Sequence, residues 1–237
     1  LPHQGKFAAG RRGFGSLRQI FLFRHRIGQS DALVDSFRAL ARVRFRLDSR
    51  REILDAFAQA QDFPAWSADK KLQALVSKGA VSPVPKTRGK RSAVLLVEPE
   101  TFMNKSGQSL REIKDLRFKI YDKKKAIPNL VVIHDDLDIP FGSYKISFNK
   151  SSGGHKGVES IIRAIKTQAF VRVRVGIASS AAAVKKSQDD AAVGKTILGK
   201  FSGDQLDELR RLAKEISEGL VVLITEGREK AMSQYHA

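Results

Sequence analysis

Strands alternating with helices predict an α/β fold, a sheet flanked by helices on both faces. Three observations carry this. Two apolar runs, 93–99 and 129–134, read as buried strands with Pro99 closing the first and Pro128 leading into the second. Segments 157–167 and 202–227 repeat apolar residues at helical spacing. Segments 143–148 and 171–177 alternate apolar and polar residues, which predicts half-exposed strands and a partly antiparallel sheet. A length of 237 residues suits one such domain.

The elements follow in order. Residues 1–20 are rich in Gly and Arg without a clean period, and read as disordered or extended. In 31–45, Leu33, Val34, Phe37, Leu40 and Ala41 fall at helical spacing, with Asp31 as a cap. A second helix is expected over 51–61, with Ile53, Leu54, Phe57 and Ala58 on one face. The stretch 67–79 offers a third short helical or mixed segment, ended by Gly79. Prolines, a glycine and cations make 80–92 a loop. After the strand at 93–99, a helix is expected over 101–120 with Leu110, Ile113 and Leu116 inward. The long helix at 202–227 is capped at Ser202 or Asp204 and closed by Gly227, and 228–237 adds a last turn or two.

Composition narrows the function. Hydrophobic residues make up 42% of the chain, enough to bury a core. No apolar run approaches the roughly 18–20 residues that cross a bilayer, so a soluble protein is expected. Cysteine is absent, which excludes disulfides, thiolate catalysis and cysteine metal sites, and the compartment expected is the cytoplasm. The net charge is +18, a field that attracts polyanions, nucleic acid above all. Half of that excess sits in residues 1–51, where eleven Arg and one Lys face three acids. The remainder of the chain uses mostly Lys. Residues 1–50 therefore form an atypical Arg-rich segment, a basic arm or a stretch of different origin such as a shifted reading frame. Residues 51–237 form the α/β domain.

Chemistry-bearing residues cluster in the middle. The segment 192–196, AVGKT, ends like a phosphate-binding loop but lacks its upstream glycine. No histidine pair has metal-ligand spacing, and G-x-S-x-G is absent. Asp135 and Asp136 are placed just past the end of a buried strand, the edge where open α/β sheets hold ligands. They read equally as turn carboxylates before Pro140 and Gly142. Around His155 and Lys156, SSGGHKG sets three glycines at a helix mouth, where N–H groups suit an anion. The plain alternative is a capped helix after a glycine turn. Asn104, near the start of a helix, reads by itself as a capping residue.

Together, VEPETFMNKSGQSL, VVIHDDLDIPFGSYKISFNKSSGGHKGVESII, RVRVGIA and ILGKFSGDQLDEL resemble bacterial-type peptidyl-tRNA hydrolases, in order and spacing from about residue 93 to 225. The resemblance implies a single α/β globule with a mixed, twisted central sheet. It implies hydrolysis of the ester between a peptide and the 3′ end of tRNA, with tRNA as partner, no metal or cofactor, no membrane, and a monomer. A histidine acts as general base in that family, and the aspartate that orients it matches Asp135. Phe102 and Asn104 match residues that contact the acceptor end or the peptidyl ester. His155 matches the second family histidine, with tRNA or substrate contact implied. Lys156 stands where the family usually has asparagine, a cation suited to an RNA phosphate.

The front end departs from the family, since neither G-L-G-N-P-G nor an intact R-H-N is present. Two placements compete. One uses FRHRIG, which supplies His25 as base with Arg26 at the asparagine position. The other places the family's following helix at REILDAFAQAQ, which puts Leu47 at the base position. The first implies an enzyme that uses His25; the second implies an RNA-binding relative with impaired catalysis.

Overall fold

The computed structural model describes residues 20–24, 39–41, 50–83, 91–113, 127–178 and 203–235. Among them eight strands form one mixed sheet: β1 (Ile20–Arg24), β2 (Ala39–Ala41), β3 (Ser67–Asp69), β4 (Ala74–Val81), β5 (Ser92–Pro99), β6 (Leu130–Pro140), β7 (Tyr144–Phe148) and β8 (Val171–Ala178). Their order across the sheet is β3-β4-β5-β1-β2-β6-β8-β7. The helices are α1 (Arg50–Ala60), α2 (Gly107–Arg111), α3 (Lys156–Ile165), α4 (Gly203–Thr225) and α5 (Arg228–Gln234).

Strands β5, β2, β6 and β8 run parallel, and β1, β4 and β7 oppose them. The near-continuous burial of Val94–Val97 and Leu130–His134 means that both sheet faces are covered, as the unbroken apolar runs predict. On α1, Ile53, Leu54, Phe57 and Ala58 are buried, and the helix packs against α4. On α4, Leu209, Leu212, Ile216 and Leu220 repeat at the same period and turn inward. Gly227 (φ 107°) ends this helical run in a conformation that side-chain-bearing residues rarely adopt.

Several expectations change. Within the helix expected over 31–45, residues 39–41 are a strand between β5 and β6, and the rest lies outside the described residues. Pairing with two buried strands outweighs helical spacing there. The sheet thus draws two strands from the Arg-rich segment, although residues 1–19 lie outside the description. The segment 67–79 is a hairpin, β3 and β4, not a helix. Asp69 Oδ1 accepts the N–H groups of Lys71 and Leu72, and Gln73 takes a positive φ of 49°, which turns the chain instead. The helix expected over 101–120 breaks into a single 3-10 turn, Met103–Lys105, and the short α2, while 114–126 lies outside the description. The segment 192–196 also lies outside it. Finally, β6 continues to Pro140, so Asp135 and Asp136 lie within the strand, not beyond it. The β8 ladder runs without a break to Asp136 opposite Gly176 and shifts register before Pro140.

Candidate active site

Because β5 and β6 both run parallel to β2, their C-terminal ends reach the same sheet edge. From β5 the chain passes Pro99 into the 3-10 turn that carries Asn104, with Phe102 at its N-cap. Both side chains are exposed; Phe102 is the one large hydrophobic residue among those described that stands out in solvent. Ser106 Oγ donates to the Met103 carbonyl at 2.8 Å and tightens the turn. The backbone N–H of Gly107 donates to Ser160 Oγ at 3.2 Å, which ties α2 to α3. The 3-10 turn itself also packs on α3.

At the same edge, β6 presents Asp135, which is buried. Helix α3 begins after Gly153 and Gly154, whose φ angles of 61° and 80° make the sharp approach that the glycine cluster allows. His155 is the N-cap of that helix. Its Nδ1 accepts the N–H groups of Gly157 at 3.2 Å and Val158 at 3.3 Å. With Nδ1 acting as acceptor, the ring proton resides on Nε2, which donates to Asp135 Oδ1 at 3.0 Å. The chain thus sets a carboxylate on a strand and an imidazole on a glycine turn twenty residues later because the two are one hydrogen-bonded pair.

His134 completes the cluster. Its Nδ1–H donates to the carbonyl oxygen of Asp135 at 2.6 Å, and its ring meets that of His155 edge-on, with centroids 4.8 Å apart. Its Nε2 is buried without a hydrogen-bond partner. Burial, then the neighbouring His155 and Arg172, hold the His134 pKa well below the usual imidazole value, so it is neutral at neutral pH. Burial pushes the Asp135 pKa upward, but the adjacent His155 imidazole, its hydrogen bond and His134 outweigh this and hold the carboxyl below its ordinary range. Asp135 is therefore an anion at neutral pH.

Asp136 turns to a different partner. Its Oδ2 accepts from Arg174 Nε at 2.7 Å, and its Oδ1 accepts the Asp138 N–H at 2.9 Å. Arg172, on the same face of β8 as Arg174, is nearly fully buried. Burial, with repulsion from Arg174, draws its pKa down to about 10 against the attraction of Asp136. The sequence reading assigned no role to His134, Arg172 or Arg174. The signal for the arginines was present: two cations at period two inside an otherwise apolar strand.

Asp135 and His155 are thus brought into contact, and Lys156, exposed, opens α3 beside them. The turn bearing Phe102 and Asn104 packs on that same helix. His25 lies outside the described residues. Strand β1, which precedes it, runs away from the acid: Ile20 is level with Ile133, whereas Arg24 is level with Val94 near the start of β5. Among the described residues, no group of three or more histidines or acids is placed to hold a metal ion.

A family model described as peptidyl-tRNA hydrolase matches residues 48–237. The peptidyl-tRNA hydrolase of Koribacter versatilis is 34% identical over 177 residues, 75% of this chain and 78% of that protein. The enzyme of the same name from Geotalea uraniireducens is 40% identical over 143 residues, 60% of this chain and 68% of its own length. That of Thermodesulfovibrio yellowstonii is 36% identical over 143 residues, 60% and 70% of the two chains. The crystal structure of peptidyl-tRNA hydrolase from Acinetobacter baumannii aligns with a TM-score of 0.61 over 82% of this chain and 87% of that one, at 23% identity, which is likeness of fold. A sequence match that takes in β3 to β8 and the whole edge around Asp135 leaves one assignment: the chain belongs to the peptidyl-tRNA hydrolase family.

Proposed function

We propose that this chain hydrolyses the ester linking a peptide to the 3′ end of tRNA, and that the reaction is centred on Asp135 and the Phe102–Asn104 turn. The observation that supports this most is a buried carboxylate on β6 and an exposed aromatic and amide on the turn after β5, at one edge of the sheet and each in contact with the segment His155–Ile165. Ester hydrolysis needs an activated water, a group to hold the base in its tautomer, and a donor for the developing oxyanion. Asp135 orients an imidazole and stabilises its charged form, as in triad logic. Asn104 has an amide free to turn toward the ester carbonyl or hold the substrate. Phe102 offers a face on which a base of the acceptor end can stack. Lys156 and the wider positive charge grip phosphates without reading sequence. On this reading the protein works on tRNA in the cytoplasm as a monomer.

The base is the open role. Of five histidines, His134 and His155 have ring nitrogens that are engaged or buried, and His3, His25 and His236 lie outside the described residues. His25 is the family-like choice. A second reading, in which the fold binds peptidyl-tRNA and turns it over poorly, is favoured by the engaged or buried ring nitrogens of His134 and His155. Peptide release from a defined peptidyl-tRNA separates the two. The hydrolase reading expects turnover that falls about 100-fold or more in Asp135→Asn, with tRNA binding kept. Loss of turnover in His25→Ala would identify the base. Tight binding with no release by the parent chain would leave only the binding reading.

A further inference from the structure

We propose that His155 is a positioning residue that acts through Asp135: it bridges the N-terminus of α3 to one carboxylate oxygen and leaves the other, Oδ2, for the catalytic base. The inference rests on the hydrolase reading above and goes beyond it by assigning His155 away from substrate contact and away from proton transfer. Three observations carry it. First, in a carboxylate–imidazole couple that performs base catalysis, one ring nitrogen meets the carboxylate and the other faces the reacting atoms. In His155 that other nitrogen, Nδ1, faces the N–H groups of Gly157 and Val158 instead. Second, those two donors fix the tautomer, since a protonated Nδ1 would set three donors against one another. The Nε2–H is thereby committed to Asp135 Oδ1 at 3.0 Å. Third, the ring is packed into place, with 13% of its side-chain surface exposed and its face met by the edge of His134 or the reverse, at an interplanar angle of 67°.

The consequence is mechanical. Asp135 sits on a strand and the substrate-facing Asn104 turn rests on α3, so the strand and the helix must keep register for the acid and the amide to act on one ester. The His155 ring is a direct side-chain link between them. A helix cap alone would need only an acceptor; an imidazole is long enough to cap and also reach the acid.

This distinction sets the experiment. Asparagine caps helices well but is too short to span to Asp135. In His155→Asn the helix should stay capped, with an unfolding midpoint close to that of the parent. The kcat for peptide release should fall about 100-fold while KM stays within about twofold. In an Asp135→Asn background the same substitution should cost almost nothing further, because its route of action is already gone. Histidine ¹⁵N spectra of the parent should show His155 protonated at Nε2 and unprotonated at Nδ1. Unchanged kcat, a raised KM with kcat intact, or full additivity with Asp135→Asn would overturn the proposal. If the parent turned over no peptidyl-tRNA, the hydrolase reading would fall by itself. The ring spectra would still decide the bridge, and a mixture of tautomers would sink it.

Discussion

Gly107 tests how tightly the edge of the sheet is built. It opens α2 and faces α3 so closely that a Cβ added there would lie 2.3 Å from the Ser160 carbonyl oxygen and 2.6 Å from the Ala164 Cβ. Ordinary contact begins at 3.4 Å, so the two helices would have to part by about 1 Å. Neither obstacle is the end of a flexible side chain, and the carbonyl is fixed within α3. Overpacking of this kind costs about 1–3 kcal/mol. Alanine is the better helix former by up to about 1 kcal/mol, which offsets part of the loss. Gly107→Ala should therefore destabilise the protein by about 1–2 kcal/mol in urea unfolding. The same shift moves the Asn104 turn relative to His155 and Asp135, and a misplacement of about 1 Å can lower turnover about 100-fold. Gly203→Ala is the control, because nothing lies within 4 Å of a Cβ there. A Gly107→Ala protein as stable as the parent, with peptide release unchanged, would refute the reasoning that close α2–α3 contact sets the site.

Other outcomes follow from single residues. The folded-state His134 pKa lies below its unfolded value, so as pH falls through about 6.5 the unfolded chain takes up a proton that the folded chain refuses. Stability should then fall by up to about 1.4 kcal/mol per pH unit from this group, and His134→Gln should lessen that slope between pH 7.5 and pH 5.5 in urea titrations. The depressed Asp135 carboxyl acts lower: its contribution is present above the ordinary carboxylate pKa and is lost as pH falls through the folded value, so Asp135→Asn should flatten the acid limb of the same stability curve. Lys156→Ala should weaken tRNA binding more at low salt than at high salt, with the slope of log K against log salt shallower by about 0.7–0.9. Leu96→Ala, in the fully buried centre of β5, should cost about 2–5 kcal/mol of unfolding free energy.

Much of this molecule was legible in one dimension. The apolar runs of β5 and β6, the alternation in β7, and the helical periods of α1, α3 and α4 each follow from local spacing, and the structure keeps them. The alternation in β8 predicted a half-exposed strand, but β8 has no exposed residue and its Arg172 is buried, because it pairs with β6 on one side and β7 on the other inside the sheet. Asp135, His155 and Lys156 stand out from a strand end and a glycine turn, whereas Phe102, and any role of Asn104 beyond capping, rest on the resemblance to the family. Local patterns misled where pairing or turn chemistry took over. Residues 39–41 have helical spacing but lie between two parallel strands, and 67–79 is folded back by the Asp69 turn.

What sequence determined, then, is which segments bury and where turns fall, because periodicity and turn propensity are properties of neighbours along the chain. Tertiary structure alone decided that His155 reaches Asp135, that Asp136 goes to Arg174, that Gly107 admits no side chain and that β1 runs away from the acid. Those are distances between segments far apart in the chain, set by how strands align and helices pack, and no local spacing encodes them.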